Sequence, residues 1–175
     1  MQPLAQNAAS RESSEAPPEI AAALGRIPSG LFVVTWQTDG QDRAMLASWV
    51  MQAGFAPPAI SIAVARSRDL LAAIEASATF VVNVLDESQR PLLSRFGKPA
   101  APGEDPFAGL ATARTASGGL ALAEAAAWLE CRGWPRAAAS ATDHGDHVVI
   151  VAEVLGGRGG ERQPLVHLRR NGLRY

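Results

Sequence analysis

Only one cysteine, Cys131, stands in the 175-residue chain, so an internal disulfide and a multi-thiolate metal site are both excluded. That usage matches a reducing compartment, and the cytoplasm is the expected location. Excess charge is lacking too. Sixteen basic against seventeen acidic side chains leave a formal charge of -1, which removes the global positive field that would draw in a nucleic-acid backbone or an anionic membrane. An anion site must therefore be local. Lysine is nearly missing, Lys98 being the only one, and the rest of the basic set is arginine, which suits forked contacts to phosphate or carboxylate. Motifs are missing as well: there is no glycine-rich dinucleotide fingerprint, P-loop or GxSxG elbow, and the run GGRGGER lacks the spacing and the following helix of the first two.

What is present is apolar. Hydrophobic residues make up 47% of the chain and charged residues 19%, ample for one real core. The opening residues have no apolar segment behind a basic start, so they do not read as a secretory signal. Residues 1–17 read instead as a mobile N-terminal tail and residues 18–175 as the folded domain. The stretch from Ala44 to Ala65 carries no charge and is long enough for a bilayer, which takes about 20 residues. Pro57 and Pro58 argue against a span. Two adjacent prolines remove two backbone donors and push Ala56 toward extended geometry, dividing the stretch into two buried strands joined by a turn.

The remaining pattern is mostly sheet. PPEIAAALGRIPSG predicts a short helix closed at Gly30, and LFVVTWQ a strand that ends in an Asp39-Gly40 hairpin turn. AISIAVA predicts a strand, RSRDLLAAIEAS a helix capped by Ser67, FVVNVL a strand, and ESQRPLLSRFGK a helix blurred by Pro91. Pro99 to Gly109 reads as loop, and short strands are expected around ATART and after Gly119. In AAAWLECRGW the side chains of Trp128, Glu130, Arg132 and Trp134 alternate with those of Ala127, Leu129, Cys131 and Gly133, the period-two pattern of a half-buried strand. HVVIVAEVL follows as a strand, GGRGGER as a turn, and PLVHLRRNGLRY as a last extended segment. About seven strands without regular strand-helix alternation predict an antiparallel barrel or sandwich.

Three places carry candidate chemistry. Ala65, Arg66, Ser67 and Arg68 cluster two guanidinium groups and a hydroxyl where a strand meets a helix, a corner able to hold a phosphate; the alternative is a capped helix with solvated arginines. In MLASWVMQAGF the small side chains of Ala47 and Ser48 allow a flat ring to approach the backbone, the alternative being core packing. His144, Asp146 and His147 invite a metal reading, but nothing completes a site, and a histidine paired with a turn carboxylate near a ligand is the better reading. Cys131, mid-strand without a partner motif, reads as core.

GRIPSGLFVVT, MLASWVMQAGFAPPAISIAVA, FVVNVL, WLEC and GDH before a valine-rich strand together resemble, in order, the flavin reductase-like family. The likeness covers roughly residues 20–175 and is greatest to the C-terminal flavin reductase module of cyanobacterial flavodiiron proteins, including the ending VHLRRNGLRY. It implies a mainly β fold: a split antiparallel β-barrel of Greek-key type, the FMN-binding split barrel, with a few short peripheral helices. It implies noncovalent FMN with its ring along Ala47, Ser48, Trp49, Val50, Met51 and Gln52 and its phosphate near Ala65, Arg66, Ser67 and Arg68. It further implies that Asn83 braces the site, that Phe96 and the loop after it form a border, and that His147 lies where a nicotinamide approaches. Arg169 and Tyr175 match the family ending, with a role in the pocket. NADH or NADPH is the implied co-substrate, through hydride transfer that needs positioning more than acid-base groups. The expected activity is NAD(P)H-dependent flavin reduction; the alternative is an FMN-carrying electron-transfer module that docks to a redox partner. A homodimer is expected, with Trp128 and Trp134 at its interface. Neither the di-iron domain nor the flavodoxin domain of the flavodiiron proteins is expected here, and no metal, nucleic acid or membrane.

Overall fold

The structure is a computed structural model that describes residues 17–101, 103–134 and 145–169. The chain divides into two compact units, residues 1–28 with 168–175, and residues 29–167. In the first, Pro18–Leu24 forms helix α1, opened by proline at its first turn and closed where the Gly25 amide bonds Ala21 O at 3.0 Å. The helix predicted to run to Gly30 thus stops at Leu24; Gly25 closes it with the last bond of the ladder, and Pro28 beyond has no amide hydrogen with which to continue.

The second unit holds every strand of the described residues. In chain order these are β1 (Ser29–Gly30), β2 (Phe32–Thr38), β3 (Gln41–Ala47), β4 (Val50–Phe55), β5 (Pro58–Ala65), β6 (Thr79–Val84), β7 (Thr112–Arg114), β8 (Leu120–Leu122), β9 (Ala127–Gly133), β10 (His147–Gly159) and β11 (Val166–His167). Helices α2 (Leu70–Glu75) and α3 (Leu92–Phe96) complete it, with a 3-10 turn at Glu87–Gln89. Seven strands make one antiparallel sheet in the order β3-β2-β6-β9-β10-β5-β4, while β1 pairs with β11 and β7 with β8.

One connection closes the sheet. β3 and β4 are its opposite edges, yet only Ser48 and Trp49 separate Ala47 from Val50. Three Cα steps reach roughly 11 Å, so the sheet must curl until its two edges nearly meet, which makes the mainly β unit a split antiparallel barrel. The β2–β3 turn takes the predicted form: Asp39 (φ 52°) and Gly40 (φ 72°) both lie in the left-handed region, as a two-residue hairpin demands.

The apolar runs of β2 and β6 arise from burial on both faces. Val34, Trp36, Phe80 and Val82 join Ile62, Ile150 and α2 residues Leu70 and Ile74 in one core. Leu31 and Val33 enter a second with Leu85, Phe96, Phe107 and Leu165. Each fully buried Val or Leu contributes about 1.5–3 kcal/mol.

Four local expectations change. Ser67 does not cap α2; Asp69 holds that position and makes no side-chain capping bond. The segment ESQRPLLSRFGK splits at Pro91, whose ring ends the 3-10 turn before α3 starts. Gly156 to Gly159, read as turn, continues β10 past a bulge at Val154/Gly156, where Trp128 and Leu129 of β9 still pair with it. On β9 the alternation does not separate buried from exposed. Glu130 and Cys131 are both buried, because the Thr115–Gly119 turn between β7 and β8 covers the Glu130 side, and Glu130 accepts from Thr115 Oγ1 and the Ser117 amide (3.2 Å).

Candidate functional site

The split between β3 and β4 is where the small side chains of MLASWV fall. Ala47 (5% exposed) pairs with Phe32, and Ser48 (3%) is buried behind the edge. Trp49 and Met51 stand outward at 41% and 69%, Gln52 is exposed, and Val50, half-buried, pairs with Ile62 of β5. Small residues inside and large ones outside leave main chain accessible along the edge, the requirement for a planar ring lying on backbone.

The β5–β10 ladder brings a distant segment to the same place. Ala65, the last residue of β5, pairs with His147, the first of β10. The His147 ring centroid lies 4.8 Å from that of Trp49 at 59°. His147 Nδ1 is 2.9 Å from Asp146 Oδ1, and the imidazole holds the largely exposed Asp146 carboxyl below the usual carboxylate range. Arg66 anchors this turn: its Nε donates to Gly145 O and its amide to Asp146 O, both at 2.9 Å.

Below the arginine corner opens a cleft of about 900 Å³, inside the range of small-molecule sites. Ser67 and Arg68 line one wall, the β3 side chains Arg43 and Met45 with Trp36 another, and Phe96 with Lys98 to Ala101 and Gly103 to Pro106 the third. Phe96 is 3% exposed and is fixed by Phe107 at 5.8 Å between centroids. Charges here sort by partner. Asp42 takes two bonds from Arg114 (2.6 and 2.8 Å), which hold its carboxyl below the ordinary range, and Glu104 and Asp105 accept the Ala101 and Phe107 amides. Arg43, Arg68 and Lys98 have no salt bridge or side-chain hydrogen bond among the described residues. Three uncommitted cations beside a serine hydroxyl form a donor set suited to a phosphate dianion, and the bare β3–β4 edge suits a flat ring; the residues present fit a flavin mononucleotide.

The structure thus brings Ala47 to Gln52 together with Ala65 and His147, and Ser67, Arg68 and Phe96 around the cleft. Asn83 is elsewhere: fully buried, it donates Nδ2 to Val33 O (3.0 Å) and accepts the Leu122 amide at Oδ1 (2.7 Å), so its amide ties β6 to β2 and β8. Arg169 belongs to the other compact unit. Tyr175 and His144 lie outside the described residues, as do residues 1–16 of the predicted tail. Among the described residues no three His, Cys, Asp or Glu side chains converge on a metal position, and no helix is long and apolar enough to cross a membrane. Sequence reasoning missed Arg43 and Lys98. Lys98 was visible as the lone lysine, whereas Arg43 was an ordinary outward residue of a hairpin strand.

A rolled seven-stranded antiparallel sheet, split between its edge strands β3 and β4, defines the class, a split-barrel domain. Residues 24–173 match the family model of the flavin reductase like domain, and the chain belongs to that family. Diflavin flavoprotein A 1 of Synechocystis sp. is 37% identical over 160 residues, 90% of this chain and 27% of the relative. The chain spans about a quarter of the length of the curated relatives it matches. Among solved structures, the NADH:FAD oxidoreductase of Streptomyces globisporus C-1027 superposes with TM-score 0.72 and 26% identity over 89% of each chain. Nitrilotriacetate monooxygenase component B from Mycobacterium thermoresistibile does so with TM-score 0.73 and 26% identity over 87% of this chain and 82% of that one.

Proposed function

We propose that the protein is an NAD(P)H-dependent flavin reductase that holds FMN noncovalently. The ring lies on the β3–β4 edge from Ala47 to Gln52, and the phosphate sits among Ser67, Arg68, Arg43 and Lys98. The observation that carries this reading is the trio of cations in one cleft that have no salt bridge or side-chain hydrogen bond among the described residues, in a chain of the flavin reductase-like family whose β3–β4 edge is open. When bound, FMN supplies a hydride acceptor for a reduced nicotinamide.

The chain's own residues have limited tasks. Arg68 and Lys98 neutralise phosphate charge, and main-chain groups of the β3–β4 edge donate to ring heteroatoms and stabilise negative charge that develops there. Trp49 and His147 wall the position the nicotinamide enters. No side chain need take a proton, so rate rests on holding two rings in register at about 3–3.5 Å.

The protein forms a homodimer in this reading and works in the cytoplasm. The described apolar side chains best exposed for pairing are Met51 (69%) and Phe55 (88%) on β4, whereas Trp128 and Trp134, favoured from the sequence, are half-buried. That same apolar edge next to the site favours a second reading, an FMN-carrying module that passes electrons to a docked redox protein. Stopped-flow mixing of the FMN-loaded protein with NADH and with NADPH decides between them. Rapid loss of the oxidised-flavin absorbance with either donor is expected. Persistence of the colour with both, alongside bleaching by a reduced carrier protein, would replace the first reading by the second.

A further inference from the structure

We propose that Arg66 is a positioning residue that fixes the His147 ring against Trp49, rather than a phosphate ligand. The inference rests on the reading above for its use, but its geometry stands alone. Arg66 follows the last residue of β5, and Gly145 and Asp146 precede the first residue of β10. At this end of the ladder the register stops at Ala65↔His147, and among the described residues no strand pairing continues beyond it to Asp146 and Gly145. Arg66 supplies the missing grip from two atoms on two successive carbonyls: the amide on Asp146 O and Nε on Gly145 O. A donor at Nε pointing sideways from the chain is a property of arginine alone among the cations, because lysine carries its donors only at the tip.

What the grip controls is visible one residue on. Gly145 sits at φ 94°, a conformation that glycine takes freely and that nothing in its own side chain can lock. His147 is held on one side by Asp146 Oδ1 at 2.9 Å and on the other by the Trp49 ring at 4.8 Å. With Gly145 O released, the main-chain bond from the Arg66 amide to Asp146 O remains, but the glycine gains freedom and the Asp146 and Trp49 contacts of His147 loosen with it. Ser67 and Arg68, unlike Arg66, line the cleft, so the two arginines of the ARSR corner divide their tasks: Arg68 faces the anion and Arg66 the histidine turn.

The test uses the full chain with Arg66→Met, which removes charge and donor, and Arg66→Lys, which keeps the charge but has no donor at Nε. The His147 ring resonances are assigned through His147→Gln, and the Trp49–His147 NOE is measured without flavin. Both Arg66 variants should lose most of that NOE. With FMN bound, both should raise KM for the nicotinamide by about tenfold, while kcat and the FMN Kd stay within about twofold of the parent. An unchanged NOE in either variant overturns the proposal, as does a lost NOE with unchanged KM. A tenfold weaker FMN Kd in Arg66→Met that Arg66→Lys restores overturns it in favour of a phosphate contact. Should Arg66→Met not fold, Arg66→Lys decides by the same readouts. A parent protein that oxidises neither nicotinamide would overturn the functional reading, and the NOE alone would then decide whether Arg66 holds the turn.

Discussion

The side-chain oxygen of Asn83 accepts the Leu122 amide at 2.7 Å in the interior of the barrel unit. Its Nδ2 donates to Val33 O at 3.0 Å, and the side chain is fully enclosed. One carboxamide thus ties three strands where water has no access. Asn83→Leu, near-isosteric, would orphan the Leu122 amide and cost about 2–4 kcal/mol. Urea denaturation followed by circular dichroism measures it. A loss under about 0.5 kcal/mol would show that the brace is unimportant.

The cleft cations give a binding prediction. Arg68→Ala and Lys98→Ala should each weaken FMN by about tenfold, or about 1.4 kcal/mol, and leave riboflavin, which lacks the phosphate, within about twofold. Quenching of flavin fluorescence measures both ligands. Equal losses for FMN and riboflavin would move the phosphate away from these residues.

Asp86 gives a pH dependence. Hydrogen bonds from Ser88, then from Arg162, hold its buried carboxyl below the usual value of 3.8. A carboxyl depressed in the folded state contributes stability that is fully present above the unfolded value and disappears as pH falls through the lower folded one. Asp86→Asn should therefore be less stable than the parent by about 1–2 kcal/mol at pH 7, with the gap closing below about pH 4. Parallel melting curves from pH 7 to pH 3 test it, and a gap that widens toward acid would reverse the sign.

Cys131 makes the fourth prediction. Burial, then the neighbouring Glu130 charge, pushes its thiol up to about 12, so almost no thiolate exists at pH 8. Ellman's reagent should find no reactive thiol in the native protein and one after denaturation. Fast native labelling would mean that β9 opens.

Much of this was legible from the chain. The doubled prolines after MLASWVMQAGF divide one apolar run into β4 and β5, and Asp39-Gly40 supplies the φ-positive pair of the β2–β3 turn. These are local effects of ring closure and of missing or small side chains, so a short window contains their whole cause. The family resemblance was legible too, because motif order survives in sequence. The role of Arg66 was not. From the sequence it looked like its neighbour Arg68, and only the pairing of Ala65 with His147 turned it toward Gly145.

Sequence alone thus determined most of the strands, the Asp39-Gly40 turn and the family, since each is set by patterns within a dozen residues or by their order. Tertiary structure decided which cations stay uncommitted. Asp42 is neutralised by Arg114 from a distant hairpin, while Arg43 beside it in sequence has no such partner among the described residues and faces the cleft. Charge pairing depends on separation in space, being largely screened through solvent beyond about 8–10 Å, and the chain's order does not record that separation until the sheet has curled.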